Sequence, residues 1–380
     1  MILTWKAAGI TGPMLVGVAL CAALAAGCGE NTQPGVDDGG GTFGEPIPVA
    51  PADFEKWVWV PVPEMRCADD SEGGFAVNFT HQSRDLVVYL LGGGICYDVL
   101  TCTIYQSVLH GLGDDPLAFM FGADHSGEHT GIFDRADPEN PLRQSNFVVL
   151  PHCTGDFHSG NTVATYPPLD PVHHVGYANV AAAIQRIVPT FHDAQRIVLA
   201  GYSAGGVGVT TNYHQFATAF ASIGKPPPIL IDDAGPTLRQ PYLSQHAQDA
   251  IRASWHLDET VGAWCPACGT EGLHAVHHTL AQLHPGMRSS VVCAYSDAVV
   301  TALYTLLNGG SVQLKAGLLD FADWTDSYQD SVAPSAEREF YYAGGRHGAT
   351  VIAPLSDTPG LAAFLSAQLD GSSTWTTVRP

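Results

Sequence analysis

The sequence predicts an α/β fold: a mostly parallel, doubly wound sheet with helices on both faces. Three observations carry this. Short, near-continuous apolar runs alternate with helix-compatible stretches, the pattern of a sheet covered on both sides. The runs end in glycine, aspartate or other polar residues, and the carboxyl ends of parallel strands are where such sheets open their ligand crevice. One run, 196–200, leads straight into Gly201-Tyr202-Ser203-Ala204-Gly205 and then into a further helix-compatible stretch.

Taken in order, the first 27 residues read as a signal peptide. Lys6 is the only charge before Glu30, an apolar run extends from Pro13 to about Ala26, and small residues close it. Cys28 directly follows Ala25-Ala26-Gly27. That placement resembles the bacterial lipobox, in which the cysteine is acylated and becomes the new N-terminus. The apolar run is too short for a retained span, so a membrane is expected to be reached through the N-terminal lipid only. The expected location is exported and lipid-anchored, at the outer membrane or cell surface. Residues 28–52, rich in Gly, Pro, Asp and Thr, are expected to form a flexible tether. Residues 53–380 are expected to fold as a single catalytic unit.

Within that unit the strand-like runs are 86–91, 146–150, 196–200, 229–231, 290–295 and 339–342. Helices are expected over 176–188, with Val180, Ile184 and Val188 on one face, over 204–221 and over 361–369. The stretch 238–286 lacks strand signals and is a candidate cap over the site.

Gly-x-Ser-x-Gly between a strand and a helix is the nucleophile elbow of α/β-hydrolase-like folds, a turn so tight that only small residues fit around the serine. It nominates Ser203. A serine hydroxyl needs a base to take its proton, and in this fold class the chain order is serine, acid, histidine. His347 follows the last strand-like run, in Gly344-Gly345-Arg346-His347-Gly348. The acid is Asp297, at the end of the run before it, with Asp232 and Asp233 as alternatives that also suit capping and loop hydrogen bonding. Two backbone N–H donors are needed for the oxyanion: one from Ala204, the other from Gly92-Gly93-Gly94 after the first run. Asp156 and His158, in a His-rich loop, are candidates to line the pocket, as are Tyr202 and Asp233.

The chain carries nine cysteines. After Cys21 and Cys28, Cys96–Cys102 is the favoured short bridge, with Cys67–Cys153 and Cys265–Cys268 also plausible, leaving Cys293 as a free candidate. The sequence does not fix the connectivity. Cys265-Pro266-Ala267-Cys268 followed by His274, His277 and His278 has the residue types of a zinc knuckle, but the cysteine-to-histidine spacing is short. No metal and no cofactor are expected. A formal net charge of −21 with no Lys/Arg run argues against nucleic acid and other polyanions as partners. A monomer is expected.

Several blocks together resemble the pectin acetylesterase family, which includes the Notum carboxylesterases: Leu91-Gly92-Gly93-Gly94-Ile95-Cys96, the stretch Pro151 to Gly160, His173-His174-Val175-Gly176-Tyr177, Gly201 to Gly206, Asp232 to Pro236 and Ser296-Asp297. The resemblance implies ester hydrolysis without a cofactor, a Ser203–Asp297–His347 triad, oxyanion donors at Gly93, Gly94 and Ala204, and Ile95 beside the acyl pocket. The chain departs from the family pattern at Ile95, Tyr202 and His152, where an aromatic, a cysteine and a tyrosine are usual. The implied substrate is an ester or acetylated glycan with a small acyl group such as acetyl; the acidic charge disfavours pectin itself. An inactive hydrolase-fold binding lipoprotein and a serine peptidase on the same scaffold are the alternatives.

Overall fold

The computed structural model describes residues 43–379; the expected signal peptide and Cys28 lie outside them. Ten strands run β1 Trp57–Arg66, β2 Glu72–Asn78, β3 Leu86–Leu90, β4 Asn146–Leu150, β5 Thr162–Ala164, β6 Val172–His174, β7 Ile197–Tyr202, β8 Ile229–Asp233, β9 Arg288–Ala294 and β10 Ala336–Tyr342. The helices that matter below are α1 Val99–Ile104, α2 Gly176–Thr190, α3 Ala204–Ala221, α4 Gln245–Trp255, α5 Ala275–Leu283, α6 Ala298–Asn308, α7 Leu314–Tyr328 and α8 Leu361–Asp370.

Among the described residues the main sheet has the order β1-β2-β4-β3-β7-β8-β9-β10, and β5-β6 form a separate hairpin. From β4 to β10 every pairing is parallel; β1 and β2 close one edge antiparallel. The α/β-hydrolase-like architecture expected from the sequence is therefore present.

The pleat explains why the central runs are apolar throughout. Alternate side chains of a strand face opposite sides of the sheet. Leu86, Val88, Leu90, Leu199 and Leu230 pack with Val180, Ile184 and Phe216 from α2 and α3. Their neighbours Val87, Tyr89, Val198, Ile229 and Ile231 pack on the other side with Leu361, Phe364 and Leu365 of α8. Both faces are covered, so neither can be polar.

Strand order also places the site. The chain leaves β3 for β4 on one side, then crosses back over β3 to enter β7 on the other. The loops after β3 and β7 thus part at a topological switch point, where an open α/β sheet forms its crevice. Over that crevice lies a third apolar layer, including Phe157, Leu243, Ile251, Trp255, Tyr304 and Phe321. Much of it comes from 238–286, which is helix and loop throughout and joins β8 to β9.

The flexible stretch expected over 28–52 is shorter at its C-terminal end. Ile47 is buried, its N–H donates to Thr190 Oγ1 (2.7 Å), and Arg186 Nε donates to the Glu45 carbonyl (2.6 Å). One apolar residue, with two hydrogen bonds to α2, is enough to lay this segment against the body.

Three disulfides resolve the cysteine alternatives: Cys67–Cys153, Cys96–Cys102 and Cys265–Cys268, with Cys293 buried and free. The first joins the end of β1 to the end of β4 across 86 residues of sequence. In the chain-entropy account a loop of that size is worth about 4–5 kcal/mol. Replacing Cys67 and Cys153 together by serine is expected to cost about 2–5 kcal/mol. Urea unfolding, with and without reductant, measures it.

Candidate active site

Ser203 sits between β7 and α3 with φ +57° and ψ −124°, backbone that a non-glycine residue adopts only where its surroundings impose it. The small neighbours are a steric necessity. A Cβ on Gly201 would lie 2.2 Å from the Gly205 carbonyl oxygen, and one on Gly205 would lie 2.0 Å from that of Leu90. The Ser203 N–H donates to the Asp233 carbonyl (2.7 Å), and its own carbonyl receives the Gly206 N–H (2.9 Å) at the start of α3.

The partner side chains come from the next strands. Asp297 follows β9 and caps α6: its Oδ1 accepts the Val299 and Val300 N–H groups (3.0 and 2.9 Å). The same carboxylate, wholly buried, lies 3.1 and 3.0 Å from His347 Nδ1. An ionised carboxylate only accepts, so this contact places the imidazole proton on Nδ1 and leaves Nε2 free to act as a base. His347 and Ser203 line one pocket together with Gly93, Gly94, Ala204 and Ile95. No hydrogen bond joins Ser203 to His347 among the described contacts, and such bonds commonly tighten only when substrate is present.

Of the three acids weighed from the sequence, the structure brings Asp297 to His347. Asp232 and Asp233 are buried beneath the elbow. Asp232 Oδ1 accepts the Gly235 N–H (2.9 Å), and burial pushes its carboxyl up to about 7. Asp233 Oδ2 accepts the Ala349 and Thr350 N–H groups and the Thr350 hydroxyl, each at 2.7 Å.

Four pocket expectations are corrected: Asp156, His158, Asp233 and Tyr202 are not among the lining residues. Asp156 is turned inward, accepting the Thr154 hydroxyl and the Gly160 and Gly176 N–H groups (2.6, 3.1 and 2.8 Å), which ties the 154–160 loop to the start of α2. His158 Nε2 donates to the Leu91 carbonyl (2.9 Å) and so braces the loop after β3. Asp233 is occupied by the His347 loop, as above. Tyr202 packs against the apolar layer that holds Val87, Tyr89 and Val198, with its ring 5.8 Å from that of His347. Hydrogen-bonding demand inside the core, which composition does not reveal, took the side chains of Asp156, His158 and Asp233.

The pocket wall is mostly apolar, with Gln248, Asp249, Arg252 and Asp258 among its polar lining residues. Ile95, Phe157, Val207, Leu243, Ile251 and Trp255 face it, within a cavity of about 110 Å³. Trp255 is held by its indole N–H, which donates to the Cys96 carbonyl (2.8 Å), so the Cys96–Cys102 loop and α4 form one wall.

His152 belongs to the His-rich stretch that the sequence placed near the pocket, without a specific role. It is buried, and Phe157 N–H donates to its Nε2 (3.2 Å), which puts the ring proton on Nδ1. That Nδ1 has no partner among the described residues and fills the space a Cβ on Gly93 would need, 2.3 Å away. Burial holds its pKa well below the ordinary histidine value, so the ring is neutral. The sequence signals were its place in that His-rich stretch and its departure from the usual tyrosine.

Residues 60–238 match the family model described as Pectinacetylesterase. The match includes Gly93, Gly94, Ser203 and Ala204 and ends before Asp297 and His347. Over 156 residues the chain is 30% identical to palmitoleoyl-protein carboxylesterase notum2 of Xenopus laevis, covering 40% of this chain and 30% of that protein. It is 29% identical over 170 residues to palmitoleoyl-protein carboxylesterase NOTUM of Mus musculus, 43% and 31% of the two chains. An inactive palmitoleoyl-protein carboxylesterase, notum1b of Danio rerio, is 29% identical over 117 residues, 30% of this chain and 77% of that one. The aligned stretch thus spans under a third of the length of the first two relatives. The family resemblance read from the sequence blocks is borne out over residues 60–238.

Proposed function

We propose, from the pectinacetylesterase match of residues 60–238, that the chain is a serine carboxylesterase working outside the cytoplasm. The observation that carries it is the convergence of Ser203 and His347 on one apolar pocket beside Gly93 and Gly94, with Asp297 holding His347 from behind. His347 Nε2 takes the Ser203 proton as Oγ attacks the ester carbonyl. The backbone N–H groups of Gly93 or Gly94 and of Ala204 receive the oxyanion, a contribution of about 2.7–4 kcal/mol per donor. The imidazolium then protonates the departing alcohol, leaving an acyl-Ser203. Water, deprotonated by His347, releases the carboxylic acid and restores the hydroxyl. Three disulfides fit an oxidising compartment, in keeping with export and a lipid at Cys28. No helix of the described residues is long and apolar enough to cross a membrane.

The pocket favours an acyl group longer than acetyl. Its volume approaches that of an engineered cavity of roughly 150 Å³ that holds benzene, and its wall offers an acetyl methyl far more apolar surface than it could cover. Burying each added CH₂ is worth about 0.8 kcal/mol, so kcat/KM on p-nitrophenyl esters is expected to rise about fourfold per CH₂ until the pocket is full. A panel from acetyl to palmitoyl tests this. A maximum at acetyl would return the reading to deacetylation of a glycan. A maximum at palmitoyl would mean the pocket opens to take the long acyl chain named for the Notum relatives. Absence of any turnover, with no labelling of Ser203 by a fluorophosphonate, would mark an inactive binding scaffold.

A further inference from the structure

We propose that Asp233 is a positioning residue that locks the nucleophile elbow and the His347 loop into one frame; the proposal rests on the Ser203 reading above. Asp233 ends β8, where its Cα pairs with that of Tyr202 on β7. Its main chain serves the nucleophile: the carbonyl accepts the Ser203 N–H at 2.7 Å. Its side chain serves the base. One oxygen, Oδ2, accepts three donors at 2.7 Å each from Ala349 and Thr350, two and three residues beyond His347.

The other anchors of that loop act in concert with this one. Because the Thr350 hydroxyl gives its proton to Asp233, it accepts from the Tyr89 hydroxyl on β3 (2.8 Å). Ile132 N–H donates to the Thr350 carbonyl (2.8 Å) and the Thr130 hydroxyl to that of Val351 (2.6 Å). Between His347 and these anchors Gly348 turns with φ +82°. Asp297 therefore orients the imidazole ring, while Asp233 fixes the backbone that carries it. Three donors converge on one buried oxygen, and leaving them unpaired would cost their full desolvation. A residue that references Ser203 by its main chain and His347 by its side chain sets the distance across which the proton must pass. The strained backbone at Ser203 persists only if its surroundings over-determine it, and the Asp233 carbonyl is one of those constraints.

The test uses the full chain and the best ester of the acyl panel. Asp233→Ala is expected to lower kcat about 100-fold, the cost of roughly 1 Å of misplacement, with KM little changed and fluorophosphonate labelling of Ser203 slowed in step. Asp233→Asn keeps an acceptor oxygen for the same three donors and is expected to recover most of that loss. Proton NMR adds a signature that general destabilisation would not give: the downfield His347 Nδ1 proton, shared with Asp297, persists in Asp233→Asn and broadens in Asp233→Ala. Thr350→Val removes only the hydroxyl donor and is expected to give a smaller loss in the same direction, which decides the matter if Asp233→Ala does not fold. Wild-type kcat in a folded Asp233→Ala, or in Thr350→Val where the alanine variant does not fold, overturns the proposal. So does an Asp233→Asn as slow as the alanine variant, since charge rather than positioning would then matter. Full turnover in Ser203→Ala would instead overturn the nucleophile assignment, which keeps the two failures distinct.

Discussion

Replacing Ser203 by alanine is expected to reduce ester turnover by a factor on the order of 10⁶, the scale seen when one member of such a triad is removed. The fold should survive. The hydroxyl is not used by any backbone group of the elbow: the Ser203 N–H goes to Asp233, and its carbonyl to Gly206 and Val207. Alanine at φ +57° bears the same Cβ strain that serine already bears. Thermal unfolding should therefore stay close to that of the parent while turnover and fluorophosphonate labelling vanish. If the proposed triad acts as a unit, adding His347→Ala should lower the rate little further. A folded Ser203→Ala enzyme that still hydrolyses the preferred ester would end the serine mechanism proposed here.

How far the sequence foretold this site depends on whether a residue's environment is local. Strands β3, β4, β7 and β8 were legible because sheet faces covered on both sides require unbroken apolar runs. The elbow was legible because its sterics operate within five residues. Strand β1 was not. Its run Trp57-Val58-Trp59-Val60-Pro61-Val62-Pro63 holds two prolines, which would exclude a central strand but are tolerated at the sheet edge where β1 lies. Strand β2 begins Glu72-Gly73-Gly74 and reads as a turn. Only glycine fits at position 74, because a Cβ there would clash with the Val60 carbonyl oxygen, a contact between strands that one sequence does not disclose. Among polar residues the same divide holds. Asp156, His158 and Asp233 were placed by the sequence at the pocket, yet their side chains are taken up by hydrogen bonds away from it: Asp156 accepts from Thr154, Gly160 and Gly176, His158 donates to the Leu91 carbonyl, and Asp233 accepts from Ala349 and Thr350. Nothing in Ala349 or Thr350 announces that its N–H will need Asp233.

Asp297→Asn is expected to lower kcat by about 10⁴, the loss that follows when a triad histidine is held in the wrong tautomer. The structure gives a local reason. Two helix N–H groups, from Val299 and Val300, donate to Oδ1 of Asp297. An asparagine must keep its carbonyl oxygen on those donors, because leaving them unpaired at a buried helix start is costly. Its NH₂ then takes the place of Oδ2, which lies 3.0 Å from His347 Nδ1. A donor at that point forces Nδ1 to accept and moves the ring proton to Nε2, the atom that must receive the Ser203 proton. The cap that makes Asp297 well ordered thus prevents the amide from flipping to relieve the conflict. Asp232→Asn is the matched comparison: its carbonyl can still accept the Gly235 N–H, it does not touch His347, and its activity should remain within a few-fold of the parent, as for substitutions outside the reacting unit. Steady-state kinetics of the two variants separate the acids that the sequence left open. Equal losses at both positions would mean that His347 is held by the buried acidic cluster as a whole rather than by Asp297.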